Sequence, residues 1–262
     1  MDDGVFATFW LTVIFTLAGA AVGSFLNVCI LRIPRGLSIV SPPSHCPKCN
    51  HPIRIYDNIP VIGYLLLRGK CRDCKEKISV RYPLIEILTA IIACLLFRKF
   101  GLTTAYLSVF VFTCTLIVIT FVDFDHQIIP HVITLSGIPL FAFLSVAFMG
   151  FTLVDSFLGI MVGAGVLYFV AIYYEALTGR EGMGGGDVNL LAMLGAFLGW
   201  RSLLPILLIS SFVGAIVGLG FILWKGKDMR YAVPFGPFLC FAALLYLFYG
   251  PYFIDLLVKS RL

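Results

Sequence analysis

Four cysteines in one polar loop have the spacing of a metal site. Cys46 and Cys49 form one C-x-x-C pair, Cys71 and Cys74 form a second, and twenty-one residues separate the two pairs. Two such pairs supply the four thiolates of a tetrahedral zinc ribbon. A redox dithiol or two disulfides would use the same cysteines, but paired knuckles among basic residues favour metal thiolates. Because four sulfurs close the coordination shell, the sequence predicts one structural Zn²⁺ that folds the loop and activates no water.

Carboxylates at the ends of apolar runs are the second group that could do chemistry. Asp123 and Asp125 close one run in TFVDFDHQIIP, and Asp187 opens another after the glycines of GMGGGD. Ionisable groups in such places cost free energy and usually mark function. Two carboxylates held together at low dielectric share a proton, which suits one of them to activating a water molecule. The pattern therefore indicates an aspartyl protease site.

Each aspartate also has a purely structural interpretation. Asp187 after a glycine turn could be a helix N-cap, and Asp123 and Asp125 could form a solvated helix end. On a regular helix Asp123 and Asp125 differ in direction by roughly 200°, so only one can be the main catalytic carboxylate, and composition does not decide which. Gly184 and Gly186 are expected to support catalysis, because a backbone without Cβ lets a substrate strand lie close.

Apolar runs make up most of the remaining chain. Of the 262 residues 60% are hydrophobic and 13% charged, and the mean hydropathy is +1.00, which excludes an ordinary soluble domain. Runs long enough to cross a bilayer, at about 20 residues each, predict eight helical spans. They lie near residues 6–30, 83–100, 104–122, 128–149, 153–175, 188–200, 203–224 and 232–258. The sixth run is short, and whether it crosses fully is left open.

The basic residues orient these spans. Ten of the 19 Lys and Arg residues lie in the loop 31–82, and four more lie in loops on the same predicted side. Since basic residues are held in the cytoplasm during insertion, this loop is predicted to be cytoplasmic and both termini to lie outside. The acidic start, Met-Asp-Asp-Gly, does not have the pattern of a removable signal peptide. The net charge of +5 does not imply binding to nucleic acid.

These observations predict an all-α polytopic membrane protein of about eight transmembrane helices, with a small cytoplasmic zinc-ribbon-like loop domain. The first transmembrane helix would occupy residues 1–30, the four-cysteine loop residues 31–82, and a seven-helix membrane domain with the protease site residues 83–262. Membrane lipid is an expected contact, and the oligomeric state stays open.

Five motifs together resemble the bacterial prepilin peptidases of type IV pilus and type II secretion systems, over essentially the whole chain. They are GSFLNVCILRIP at 23–34, PPSHCPKCNHPI at 42–53, YDNIPVIGYLLLRGKCRDCKEKISVRYPLIE at 56–86, VDFDHQIIPHVIT at 122–134 and GMGGGDVNLLAMLGAFLGW at 182–200. The resemblance implies a bifunctional enzyme of the bacterial inner membrane. It would cut the basic leader from prepilins or pseudopilins after a glycine, and then methylate the new N-terminal residue using S-adenosyl-L-methionine.

The resemblance also implies roles for single residues. The family's two catalytic aspartates fall on Asp123 and Asp187, and its Gly-x-Gly-Asp pattern falls on residues 184–187. Asp125 is left as a possible support to catalysis. Asn27 matches a family motif and could hydrogen-bond near the scissile bond or join helices, of which joining helices is the safer interpretation.

Two residues depart from the family pattern. Many members have an acidic residue where this chain has His131, and a lysine where it has Asn189. Neither departure removes a catalytic group. We therefore expect them to change local electrostatics, and to affect substrate preference more than activity.

A site for the methyl donor is harder to predict. The chain has no strand followed by G-x-G and a downstream acid, so a Rossmann-type site is not indicated. The donor would bind in the cytoplasmic loop or at its junction with the membrane, where the candidates are Arg68, Gly69, Lys70, Arg81, Tyr82 and Glu86. Of these, Glu86 is the least favourable without a function, because it is an ionisable residue at the start of an apolar span. The basic candidates could equally anchor the loop to anionic lipid.

Two other functions use the same residues. A proton- or cation-coupled membrane transporter could employ the aspartates, but it would need polar groups in the middle of several spans, and most spans have almost none there. A methyltransferase or assembly factor that has lost the protease is the other alternative. The presence of both aspartates argues against it.

Overall fold

The computed structural model describes residues 3–179, 184–225 and 234–259. Within these ranges the chain forms α-helices and short 3-10 turns, and no β-strand. The α-helices are α1 (Asp3–Arg32), α2 (Ile62–Leu66), α3 (Arg81–Phe100), α4 (Thr104–His126), α5 (His131–Phe148), α6 (Leu153–Thr178), α7 (Gly185–Leu198), α8 (Leu203–Lys225) and α9 (Gly236–Lys259). The 3-10 turns are Ile33–Arg35, Ile55–Asn58 and Trp200–Ser202. The all-α prediction is confirmed.

The eight predicted apolar runs correspond to the eight longer helices, α1 and α3 to α9. Five segments of the described chain are long and apolar enough to cross a membrane, and they fall on α1, α4, α5, α6 and α8. The apolar segments of α7 and α9 are shorter, and α3 has charged residues at both ends. A polytopic membrane protein is thus confirmed, while crossing by all eight helices stays a prediction.

Contacts divide the chain into two compact units, residues 1–114 and 115–262, and the boundary falls inside α4. The first unit contains α1, α2, α3 and the cysteine loop, and the second contains α5 to α9 with the end of α4. The sequence indicates a division of the chain by expected function, with boundaries after residues 30 and 82. That division stays a prediction.

In the first unit α1 packs closely along α3. A Cβ on Gly19 would lie 2.4 Å from Ala93 Cβ, and a Cβ on Gly23 would lie 2.8 Å from Glu86 Cα. Two glycines one turn apart therefore let the two backbones approach, as is typical of helix pairs in membranes. This packing holds the beginning and the end of the cysteine loop together.

In the second unit α7 forms the core. All of residues 190–198 are buried, and the helix contacts α5, α6, α8 and α9. Gly195 meets α6 backbone to backbone, since its Cβ would lie only 2.2 Å from the carbonyl oxygen of Gly159. The Ser145 hydroxyl of α5 donates a hydrogen bond to the Phe197 carbonyl at 2.9 Å. These contacts fix the helix whose first turn carries Asp187.

Candidate active site and metal centre

Asp123 lies in the last turn of α4 and is turned into the second unit. It is 4% exposed, and its carboxylate accepts a hydrogen bond from the backbone N–H of Gly236, the first residue of α9. Asp125 lies on the same helix and is exposed. Because α4 is regular through His126, the helix directs Asp123 inward and Asp125 outward.

Asp187 is the third residue of α7, and the N-cap of that helix is Gly184. The interpretation of Asp187 as an N-cap is therefore wrong. In the described part of the chain its Oδ1 is buried without a hydrogen-bond partner. A buried oxygen without a partner is costly and calls for an explanation such as a catalytic role. Gly182, at the start of the predicted glycine motif, lies outside the described residues.

The structure brings Asp123 and Asp187 together. The negative charge of Asp123 acts on Asp187, and the buried thiol of Cys240 on α9 interacts with both carboxylates. The end of α4 and the beginnings of α7 and α9 therefore meet around one point. This is the juxtaposition that two aspartates at helix ends predict.

Ile129, in the connector between α4 and α5, occupies the space beside two glycines. A Cβ on Gly186 would lie 2.8 Å from Ile129 Cβ. A Cβ on Gly236 would lie 3.0 Å from Ile129 Cδ1 and 2.6 Å from Asp123 Oδ2. At Gly185, by contrast, a Cβ would meet no atom of the described residues within 4 Å. The space that Gly186 leaves is thus filled by Ile129, and among the described residues none occupies the corresponding space at Gly185.

Sequence reasoning did not single out Gly236 or Ile129. The signal for Gly236 was present, since PFGP at 234–237 places proline and glycine directly before an apolar run, a pattern typical of a helix start. Ile129 had no signal of its own, because one apolar residue among many is not distinctive.

The two departures from the family pattern contact each other. The Asn189 side-chain amide donates a hydrogen bond to Nδ1 of His131 over 3.0 Å. His131 is the first residue of α5, and Asn189 lies in the first half of α7. This hydrogen bond between uncharged groups therefore connects the start of α5 to α7.

Asn27 joins two helices of the first unit. It is buried, and its Nδ2 donates a hydrogen bond to the carbonyl of Tyr82 at the start of α3 over 3.2 Å. Arg32, which sequence reasoning missed, is also buried and donates to the carbonyls of Ser38 at 2.9 Å and Pro42 at 2.8 Å. These two side chains fix where the cysteine loop leaves and re-enters the helix pair.

The four loop cysteines converge. The sulfur atoms of Cys46, Cys49, Cys71 and Cys74 all lie within 4.8 Å of one another, and every cysteine of the chain has a free thiol. The disulfide alternative is therefore not supported. Four sulfur donors at this separation could hold one metal ion, and this donor set suits zinc.

The two cysteine pairs have the same local structure. The N–H of Asn50 donates to the Cys46 carbonyl at 2.9 Å, and the N–H of Lys75 donates to the Cys71 carbonyl at 3.1 Å. Asn50 and Lys75 both have positive φ angles, of 56° and 59°. This repeated turn brings the two sulfur atoms of each pair to the same side of the turn.

The loop also prepares one sulfur for binding a metal. Backbone N–H groups of Cys49 and Lys48 lower the pKa of the Cys46 thiol to about 6. Lys48 forms an ion pair with Glu76, which joins the two cysteine pairs at the surface. The Cys46 thiol therefore loses its proton more readily than a free cysteine, and the thiolate is the form that coordinates metals.

The candidates for methyl-donor binding fall in two places. Arg68, Gly69 and Lys70 form the turn before the second cysteine pair, and the two basic residues are exposed there. Arg81 is the first residue of α3 and is half-buried, while Tyr82 beside it is exposed. The sequence-predicted candidates thus lie along the loop and at its return to the membrane helices.

Glu86 differs from these candidates because it is buried between α1 and α3. Its Oε2 accepts the backbone N–H of Val61 at 2.7 Å, and it hydrogen-bonds to the Ser24 side chain. Val61 has a φ of 61°, a strained value for a β-branched residue. Ser24 also lines a cavity of about 230 Å³ between α1 and the loop, together with Arg32. Glu86 therefore holds the loop against the helices, and its partner Ser24 faces the cavity.

Known proteins match this chain along most of its length. A model of the type IV leader peptidase family matches residues 110–219, and one of the bacterial peptidase A24 N-terminal domain matches residues 17–100. A prepilin leader peptidase/N-methyltransferase of Aeromonas hydrophila is 39% identical, with 87% of each chain covered. The chain belongs to the type IV leader peptidase family. The resemblance seen in the sequence is thereby confirmed.

Other relatives carry the same name. The prepilin leader peptidase/N-methyltransferase of Pseudomonas putida is 36% identical, covering 90% of this chain and 89% of the relative. That of Neisseria gonorrhoeae is 37% identical, covering 84% of each. No solved structure matches the chain. The family membership gives no support to the transporter alternative.

Proposed function

We propose that this chain cleaves the basic leader peptide of prepilins or pseudopilins after a glycine, with Asp123 and Asp187 as the catalytic pair. The observation that carries the proposal is the convergence of the buried Asp123 and the half-buried Asp187, from separate helices, in a member of the leader peptidase family. The names of the relatives, which are 36–39% identical in the examples from Aeromonas and Pseudomonas, support the same activity.

The surroundings of the two carboxylates support different roles for them. Two like charges at one buried place are unfavourable, so the pair holds one proton. The Gly236 N–H points at Asp123 and favours negative charge there. We therefore assign the carboxylate to Asp123 and the proton to Asp187, whose Oδ1 is free of other hydrogen bonds in the described chain.

The cleavage step follows from this division. The oxygen of a water molecule attacks the carbonyl carbon of the glycine while Asp123 takes a proton from that water. Asp187 gives its own proton to the carbonyl oxygen. The tetrahedral intermediate then breaks at its carbon–nitrogen bond. The leaving nitrogen receives the proton from Asp123, and Asp187 regains a proton from the intermediate. The products are a leader ending in a carboxylate and a mature pilin with a new amino terminus.

We place this reaction at the cytoplasmic edge of the bacterial inner membrane, with the 31–82 loop in the cytoplasm and both termini outside. The charge bias of the loops supports this orientation. A prepilin anchored by its own apolar helix could diffuse laterally and present its leader junction to the site. Its basic leader would then remain in the cytoplasm.

The second proposed activity is methylation of the new amino terminus, with S-adenosyl-L-methionine supplying an electrophilic methyl group. The candidates for holding this donor remain Arg68, Gly69, Lys70, Arg81 and Glu86. Of these, Glu86 has the best support, because it is buried, ties the loop to α1 and α3, and hydrogen-bonds to Ser24, which lines a cavity. Asp125, Asn27, Gly184 and Gly186 are proposed as supporting residues rather than as groups that react.

Zinc is the metal we propose for Cys46, Cys49, Cys71 and Cys74. The two repeated turns and the four sulfurs within 4.8 Å fit a tetrahedral thiolate site. Such a closed site would fold the loop and leave the peptidase chemistry to the aspartates.

The direct test is to follow the mass of a prepilin incubated with the purified, detergent-solubilised protein. Cleavage should remove the leader, and adding S-adenosyl-L-methionine should add the mass of one methyl substitution to the mature product. Glu86→Gln should reduce methylation while cleavage continues. Failure to cut any prepilin from the same source would contradict the proposed function. Cleavage without methylation would contradict its second half alone.

A further inference from the structure

Ile129 is an unusual residue for a connector. The connector between α4 and α5 is four residues long, 127–130, and Ile129 is 8% exposed whereas its neighbour Ile128 is 49% exposed. Its backbone is held at both ends. The N–H of Gln127 donates to the Asp123 carbonyl at 2.9 Å, and the N–H of Ile133 donates to the Pro130 carbonyl at 3.0 Å. The Ile129 side chain is therefore directed into the second unit by a fixed backbone.

The buried side chain borders the reacting groups. One point, the position that a Cβ of Gly236 would take, lies 2.6 Å from Asp123 Oδ2 and 3.0 Å from Ile129 Cδ1. On its other side Ile129 fills the missing Cβ position of Gly186, the residue before Asp187. A branched apolar side chain thus lies against the segments that carry both carboxylates.

A substrate has to bring its carbonyl group to Asp187 and to the water molecule that Asp123 activates. The water oxygen approaches the carbonyl carbon to about 3–3.5 Å, and the Cα that bears this carbonyl is only about 1.5 Å further away. The side chain on that Cα must therefore fit close to Ile129. Glycine has no side chain, whereas any larger residue adds volume at a place that Ile129 already fills.

We propose that Ile129 is a specificity-determining residue, which restricts the substrate residue before the cleaved bond to glycine. The proposal rests on the proposed peptidase function of the same site. It assigns selectivity to the bulk of one side chain in the connector.

The test compares two prepilins that have glycine or alanine before the cleaved bond, each cut by full-length enzyme variants in detergent. The measured quantity is the kcat/KM for the alanine prepilin divided by that for the glycine prepilin. Ile129→Ala should raise this ratio at least about tenfold, since one methylene more or less in an apolar pocket already changes selectivity by about 10- to 200-fold. Ile129→Val should raise it less.

Ile128→Ala is the matched control, because it makes the same change at the exposed neighbour and should leave the ratio as in wild type. Both kcat/KM values come from the same enzyme preparation, so a lower fraction of folded enzyme reduces both equally and does not change their ratio. Should Ile129→Ala fail to fold, the milder Ile129→Val decides by the same ratio. An unchanged ratio in the Ile129 variants, with wild type cutting the glycine prepilin, overturns the inference alone. A wild type that cuts neither prepilin overturns the proposed function and this inference with it.

Discussion

At the scale of single residues, the site depends on a backbone donor as much as on its two aspartates. The Gly236 N–H bonds to the Asp123 carboxylate, and the absence of a Cβ at Gly236 leaves room for that carboxylate and for Ile129. A glycine at the first position of a helix is an ordinary feature of sequence. Gly236 matters here because a Cβ at this position would lie only 2.6 Å from Asp123 Oδ2.

Gly236→Ala should therefore lower kcat while the protein remains folded. The added Cβ would displace the Asp123 carboxylate, and a shift of about 1 Å at a reacting group can reduce the rate by about 100-fold. Steady-state cleavage of a prepilin, with thermal unfolding measured in parallel, checks this. Gly218→Ala in α8 is the control, because a Cβ there meets no atom of the described chain within 4 Å. Equal kcat values for the two variants would contradict the role given to Gly236.

The aspartates could be predicted from the sequence, but their partners could not. Carboxylates at the ends of apolar runs are rare enough to be noticed, and helix geometry alone showed that Asp123 and Asp125 face different ways. Deciding that Asp123 faces inward required knowing where α9 begins. The contact between His131 and Asn189 likewise joins residues whose proximity no local pattern encodes.

At the scale of helices, close packing determines where the carboxylates lie. Helix α7 has only 14 residues, and its buried faces contact four other helices. Where α6 crosses it, Gly159 and Gly195 bring the backbones into direct contact. Hydropathy showed that an apolar run was present here but left open whether it crosses the membrane. The burial of its residues 190–198 results from packing against these neighbours.

Gly159→Ala should destabilise the protein. Its Cβ would lie 2.1 Å from the Gly195 carbonyl oxygen, and a backbone atom cannot move aside as a flexible side chain can. Overpacking of this kind costs about 1–3 kcal/mol or more, so the midpoint of thermal unfolding in detergent should fall. Gly165→Ala on the same helix, where a Cβ comes within 4 Å of none of the atoms that the structure describes, should leave the midpoint unchanged. Similar midpoints for both variants would show that α6 and α7 do not pack this closely.

At the scale of the whole molecule, the chain combines a membrane-embedded helical part with a loop too small for a core of its own. The loop is organised by four sulfurs, by Arg32 at its beginning and by Glu86 at its end. The cysteines and the apolar runs could both be predicted from spacing and composition. The roles of Arg32 and Glu86 could not, because their partners are backbone groups that become available only when the loop folds.

The loop should depend on its metal. We expect about one zinc per chain in the purified protein, and its loss in Cys49→Ser and Cys71→Ser, because removing one of four thiolates weakens a structural site strongly. Elemental analysis and limited proteolysis of the loop check this together. Cys94→Ser, in the apolar helix α3, should keep its zinc and its resistance to protease. A wild-type protein that contains no metal, with an equally resistant loop, would contradict the account of the loop.

The central claim is that Asp123 and Asp187 act together as the catalytic pair, and it is tested by comparing Asp123→Asn, Asp187→Asn and Asp125→Asn in one prepilin cleavage assay. Zinc content and thermal unfolding of each variant serve as controls for folding. We predict that Asp123→Asn and Asp187→Asn stop cleavage while keeping both controls at wild-type values, and that Asp125→Asn, whose side chain is exposed, still cleaves. Substantial cleavage by Asp123→Asn or Asp187→Asn would contradict the account.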